Sequence, residues 1–253
     1  KASAPMGDGA LGYTTLRGIR SDEGGVWTSG IQARGSTVKT SLRFRRREVP
    51  GGERGQRGDT MDPKEQLLQV TDLLSVLVDG TDADQLGDET PCSDFHVRDL
   101  IGHFTLGRFL FAAGLSGDKS RGDELLGGMP EQLGDVLGDD HRATYLDASV
   151  ALDAAVDGID DLDEVVSLVF GDMPAGAAMQ LISADNFIHC WDLARSTGQD
   201  FDPPVDLVEA TTAFFGAFIT DDSRAGGMFG PEVEVPDDAS ALDRLLGLSG
   251  RTP

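Results

Sequence analysis

Two residues in the stretch SADNFIHCWDLARSTG, residues 183–198, are unusual types for their surroundings. Asp185 and His189 lie one helical turn apart in a run whose Ala178, Leu181, Ile182 and Ile188 recur at helical spacing. On a wheel of about 100° per residue they fall in the middle of that apolar face, about 40° from each other. Gln180, Ser183, Asn186 and Asp192 fall on the other side, which is therefore expected to be the wet one. A carboxylate on a buried face is costly unless it is paired or holds a cation. Side chains at i and i+4 meet, so His189 is a ready partner. Two chemistries follow. One is a buried Asp–His pair. The other is a metal site, in which oxygen and nitrogen are presented to one ion and a facing helix supplies a third ligand.

His103 is the candidate third ligand. It sits in a second helical run, within an arc that includes Leu100, Leu106, Leu110 and Phe111. A core histidine with satisfied nitrogens is the alternative there. His96 is seven residues away, roughly 10 Å along a helix and too far to share an ion with His103. His141 is placed in the first turn of a later helix and is expected to be solvated. Cys190 projects about 100° from His189, away from the metal side. Cys92 precedes His103 by 11 residues, roughly 16 Å along a helix axis. A helix N-terminus nearby would lower its pKa, but a buried, inert thiol is the expected state.

The elements that must position these side chains read as helices. Asp62, Pro63 and Glu65 have the order of N-cap, first helical residue and capping-box partner, and Gly80 closes the run, which predicts a helix over 63–79. A second starts near Ser93 or Asp94, after Pro91. Residues 117–138 are Gly-rich and polar and read as a long loop, and a third helix fits 139–157. DEVVSLVFGDMP reads as a short extended segment and turn before the fourth helix, about 175–197, closed by Gly198. A fifth is capped by Asp202 and begins at Pro203 or Pro204. The tail is an extended arm followed by one short helix. The class is all-α, an antiparallel bundle.

Charge divides the 253-residue chain. Its net charge of −23 combines 11 Lys and Arg against 6 Asp and Glu over residues 1–60 with 10 against 38 over residues 61–253. The first part is basic and rich in Gly and Arg, without sustained period. It is expected to be a disordered extension outside the natural protein, whose start would be Met61. The rest, 61–253, is expected to be one helical domain. Its acidity argues against nucleic acid and against an anionic membrane surface as partners. No apolar run approaches the ~18 residues of a membrane helix. Two cysteines make no disulfide framework. A soluble protein of a reducing cytoplasm is the expectation.

TPCSDFHVRDLIGHF, then ADNFIHCWDLARSTG about eighty residues later, then FGPEVEVPDDASALDRLLGLSGRTP, resembles the actinobacterial maleylpyruvate isomerase-like, metal-binding proteins of the DinB/YfiT superfamily. The resemblance spans about 61–253. It implies a four-helix bundle holding a divalent metal, zinc foremost, on His103, Asp185 and His189. The isomerase pattern carries Glu where this chain has Asp185, one methylene shorter. The superfamily includes isomerases and S-transferases that use mycothiol or bacillithiol, so the resemblance implies a metal-dependent reaction between a small thiol and an electrophile. No second His/Glu set nominates a general base, and the catalytic residues stay unassigned. The alternative is a non-catalytic metal-binding, metal-buffering or stress-response module. Such folds often form homodimers.

Overall fold

The computed structural model describes residues 61–253 except 93–94, 170 and 226–228; the expected extension over 1–60 lies outside the described residues. The described residues are all-α apart from one small hairpin and an isolated bridge between Glu89 and His96. Four long helices form the bundle: α1 (Pro63–Asp79), α2 (Val97–Leu115), α4 (His141–Asp157) and α5 (Ala175–Thr197), with the short α3 (Lys119–Gly127) between the second and third. β1 (Val165–Leu168) pairs antiparallel with β2 (Gly171–Pro174) just before α5. Three further helices follow: α6 (Val205–Phe218), α7 (Asp221–Ala225) and α8 (Ala241–Leu248).

Helix α1 begins as its sequence predicts, with the Asp62 carboxylate accepting from the Lys64 and Glu65 amides and Pro63 in the first turn. Helix α5 ends at Gly198, whose φ of 70° is the left-handed cap that glycine adopts without strain. The helices pack around the ring in the order α1, α5, α2, α4. The bundle is not wholly antiparallel. The start of α1 meets the start of α5 at Pro63 and Gly176, and Leu77 near its end accepts from Gln199 just past the end of α5, so these two run the same way. Helices α2 and α4 also run together, because Arg98 reaches Gly138 at their N-terminal ends. The α1–α2 and α4–α5 connections cross the bundle ends diagonally, whereas the one between α2 and α4 runs back along α2, which places α1 and α2 in different pairs.

Other expectations are corrected by local chemistry. Helix α2 starts at Val97, not at 93 or 94, because Thr90 Oγ1 bonds to Cys92 and Phe95 in a turn and His96 takes the N-cap with Asp99 accepting from its amide. Residues 117–138 are not a loop. Asp118 caps α3 by accepting from the Arg121 amide, and Leu125 joins Leu106, Leu110 and Ala113 in a small core. A 3-10 turn over Leu133–Leu137 then lies against α2. The fifth predicted helix, α6, starts at Val205 behind Pro204, without an Asp202 cap. No helix is long and apolar enough to cross a membrane among the described residues.

Candidate metal centre

Helix α5 is buried on nearly all sides, since α1, α2 and α6 pack against it. The wet face expected for it is largely absent: Ser183, Asn186 and Asp192 are buried and Gln180 is half-buried. Asp185 and His189 therefore project from the middle of a buried helix toward α2, where His103 is equally enclosed. The structure brings all three together. His103 Nε2 stands 3.5 Å from Asp185 Oδ2, and His189 Nε2 stands 3.5 Å from Asp185 Oδ1. The two imidazoles meet edge to face with centroids 4.9 Å apart, and Phe95 lies against His103 at 5.5 Å.

Both 3.5 Å separations are long for charge-assisted hydrogen bonds, which lie near ~2.8 Å. They run to the two different oxygens of the carboxylate, and a donor atom from each residue lies within 4.8 Å of the other two, which brings three metal-ligand types to one point. Two imidazoles and a carboxylate also match the donor preferences of zinc and its neighbours in the first transition row. The residues present thus fit a divalent ion.

Electrostatics inside the cluster are strongly coupled. Burial would raise the Asp185 carboxyl, but His189 and then His103 outweigh it and hold the group well below the carboxylate range. Burial likewise opposes charge on His189, yet Asp185, Asp192 and Cys92 raise it well above 6.5. Burial prevails at His103 and lowers it. Without an ion the balance favours charge on Asp185 and His189 and opposes it on His103. The Asp185 side chain is 12% exposed against 1% for each histidine, so Asp185 is the member of the cluster nearest to solvent.

Behind His189 lies a second layer that the spacing argument missed. His189 Nδ1 donates to Asp192 Oδ2 at 2.9 Å. Asp192 also accepts from Arg251 Nη2 at 2.9 Å and from Arg251 Nε at 3.3 Å. Cys92 Sγ lies 3.3 Å from Asp192 Oδ2, 3.5 Å from Arg251 Nη2 and 4.0 Å from His189 Nδ1. Burial would raise Asp192 too, but Arg251 and His189 hold it well below the carboxylate range. Cys92, His189 and Asp192 form a second donor trio within 4.8 Å, sharing His189 with the first. The second trio already holds the Arg251 cation and the His189 proton, which leaves it as support rather than as an ion site. A carboxylate on the far nitrogen of a histidine fixes its tautomer and aims the near nitrogen.

Asp192 was detectable, because i and i+3 residues meet on a helix. Cys92 was misplaced by extending α2 too far back; the turn before α2 folds its thiol against α5 instead. Arg251 arrives from the far end of the chain, and no local pattern marks it. His141 is not solvated: it is buried, its Nε2 lies 3.2 Å from the Thr81 carbonyl, and burial lowers its pKa. His96 is exposed at the start of α2, apart from the cluster. Cys190 is buried away from the cluster and burial raises it far above the thiol range.

No protein-family model matches the chain. Among solved structures, the mycothiol-dependent maleylpyruvate isomerase matches with a TM-score of 0.48 at 17% identity, over 70% of this chain and 77% of that one. A histidine-to-alanine mutant of it matches with the same score and coverage at 16% identity. Two relatives from Mycobacterium tuberculosis, uncharacterized protein Rv0738 of strain ATCC 25618 / H37Rv and uncharacterized protein MT0763 of strain CDC 1551 / Oshkosh, are each 30% identical over 200 residues. The match covers 76% of this chain and 99% of theirs. The chain belongs to the family of these mycobacterial proteins.

Proposed function

We propose that the chain binds one divalent metal ion, zinc foremost, through His103 Nε2, the Asp185 carboxylate and His189 Nε2, and that it uses the ion in chemistry on a small thiol such as mycothiol or bacillithiol. The observation that carries the metal reading is the convergence of three donor atoms from two helices within 4.8 Å of one another. Three protein ligands leave a position open. A bound ion of this kind lowers the pKa of a thiol or water that reaches that position.

The chain's own residues would do the rest. Asp192 holds His189 through Nδ1, and Arg251 holds Asp192. The enclosed histidines and Phe95 exclude bulk water, while the partly exposed Asp185 side chain gives access. The sequence blocks that resemble the DinB/YfiT maleylpyruvate isomerase-like proteins support thiol transfer or isomerisation as the reaction class. A second reading is a metal-binding module without turnover. The mutual engagement of Cys92, Asp192 and Arg251 favours it, because these neighbours of the cluster are committed to one another.

Elemental analysis of protein purified without chelator and reloaded with metal tests the metal reading. Wild type should hold near-stoichiometric zinc and His189→Ala almost none. Equal, trace content in both would reduce the cluster to an Asp–His pair. Metal-dependent consumption of mycothiol with a panel of electrophiles then separates the two functional readings: metal binding without thiol consumption leaves the module.

A further inference from the structure

Arg108 lies at the centre of the bundle, on α2, with no exposed surface. Guanidinium does not lose its proton in a protein, so a positive charge is fixed in the core. Nη1 donates to Thr71 Oγ1 at 3.1 Å, and the guanidinium carbon stands 5.1 Å over the Tyr145 ring. Both partners are neutral. Among the described residues Arg108 enters no ion pair, and its Nε and Nη2 are buried without a hydrogen-bond partner.

Those two nitrogens share one edge of the guanidinium. Their N–H bonds run side by side, as the fork that receives a carboxylate or a halide. No ionisable neighbour makes an ion pair with the fork among the described residues. Cys190 stays a thiol, because burial outweighs the pull of Arg108. Tyr145 stays a phenol for the same reason, and its hydroxyl is near Ser75 Oγ at 3.3 Å. Asp153 lies near enough to feel Arg108, but it is half-buried and makes no ion pair or hydrogen bond with the fork among the described residues. A water molecule would satisfy the fork's hydrogen bonds and leave the charge uncompensated.

We propose that the Nε/Nη2 fork of Arg108 binds a small monovalent anion of the chloride type inside the bundle, at a site separate from the His103/Asp185/His189 cluster. Full enclosure favours a free small anion over a carboxylate carried by a larger molecule. Binding to the folded state alone raises its melting temperature with anion concentration.

The test is a set of thermal melts of the full chain at constant ionic strength, exchanging gluconate for chloride, bromide or formate. Wild type should gain about 4 °C in saturating chloride or bromide, and Arg108→Met should gain nothing. A formate gain larger than the chloride gain would overturn the halide assignment in favour of a carboxylate. Equal gains in wild type and variant, or none in either, would overturn the site. Should Arg108→Met fail to fold, bromide-soaked crystals of wild type decide the matter. An anomalous peak within hydrogen-bond reach of Nε and Nη2 supports the site. Water there, or the Asp153 carboxylate turned into the fork, refutes it.

Discussion

His189 faces two ways, and its two nitrogens have different partners. Nε2 looks toward Asp185 and His103, while Nδ1 is held by Asp192 at 2.9 Å. A ligand histidine anchored in this way binds metal more tightly because its ring orientation and tautomer are already set. Asp192→Asn keeps an oxygen near Nδ1 but removes the charge. Metal affinity, read by competition with a chromophoric chelator, should fall about 10- to 100-fold while the ion still binds through the intact trio. An unchanged affinity with a lowered melting temperature would make Asp192 purely structural. Asp185 differs from both histidines in being partly exposed, which would leave an ion bound there a route to solvent without unfolding.

At the scale of elements, the site depends on how closely α2 approaches its neighbours. Gly102, adjacent to His103, lies so near the 3-10 turn that an added Cβ would stand 2.2 Å from the Leu133 carbonyl oxygen and 2.5 Å from its carbon. Backbone cannot step aside as a flexible side chain can. Gly102→Ala should therefore cost about 1–3 kcal/mol in urea melts and weaken metal binding by moving His103. Gly122→Ala on α3 is the control. An added Cβ meets nothing within 4 Å there, and removing a helix-interior glycine should stabilise by up to about 1 kcal/mol. Equal responses at the two glycines would refute the close-approach account. This approach was not legible in the sequence, since it depends on a turn in a segment that reads as loop. The bounds of α1 and α5 were legible, because Asp62, Pro63 and Gly198 are strong end signals and the runs between them are long. His103, Asp185 and His189 were legible as polar residues on apolar arcs. The burial of Asp192 was not, because a wheel assumes that a helix has one dry side, and α5 has neighbours nearly all round.

Across the whole molecule, the second layer joins three distant parts of the chain: Cys92 before α2, Asp192 on α5 and Arg251 near the C-terminus. Arg251 is 6% exposed and Asp192 is fully enclosed. Its approach is fixed by its amide bonding to Leu246 and by Nη1 donating to Ser249. The ion pair therefore links the α8 segment to the orientation of His189. Removing one partner of a buried pair leaves the other charge uncompensated, so Arg251→Met should cost about 3–5 kcal/mol in urea melts. The same substitution made in Asp192→Asn should cost much less, because no buried carboxylate remains there to be abandoned. Coupling between sites is reciprocal. Metal loading should then slow amide exchange across residues 245–251 in wild type and leave it unchanged in Arg251→Met. Additive losses in the two variants, together with exchange in the tail that ignores metal, would mean that Arg251 fastens the C-terminus without any bearing on the His189 ring.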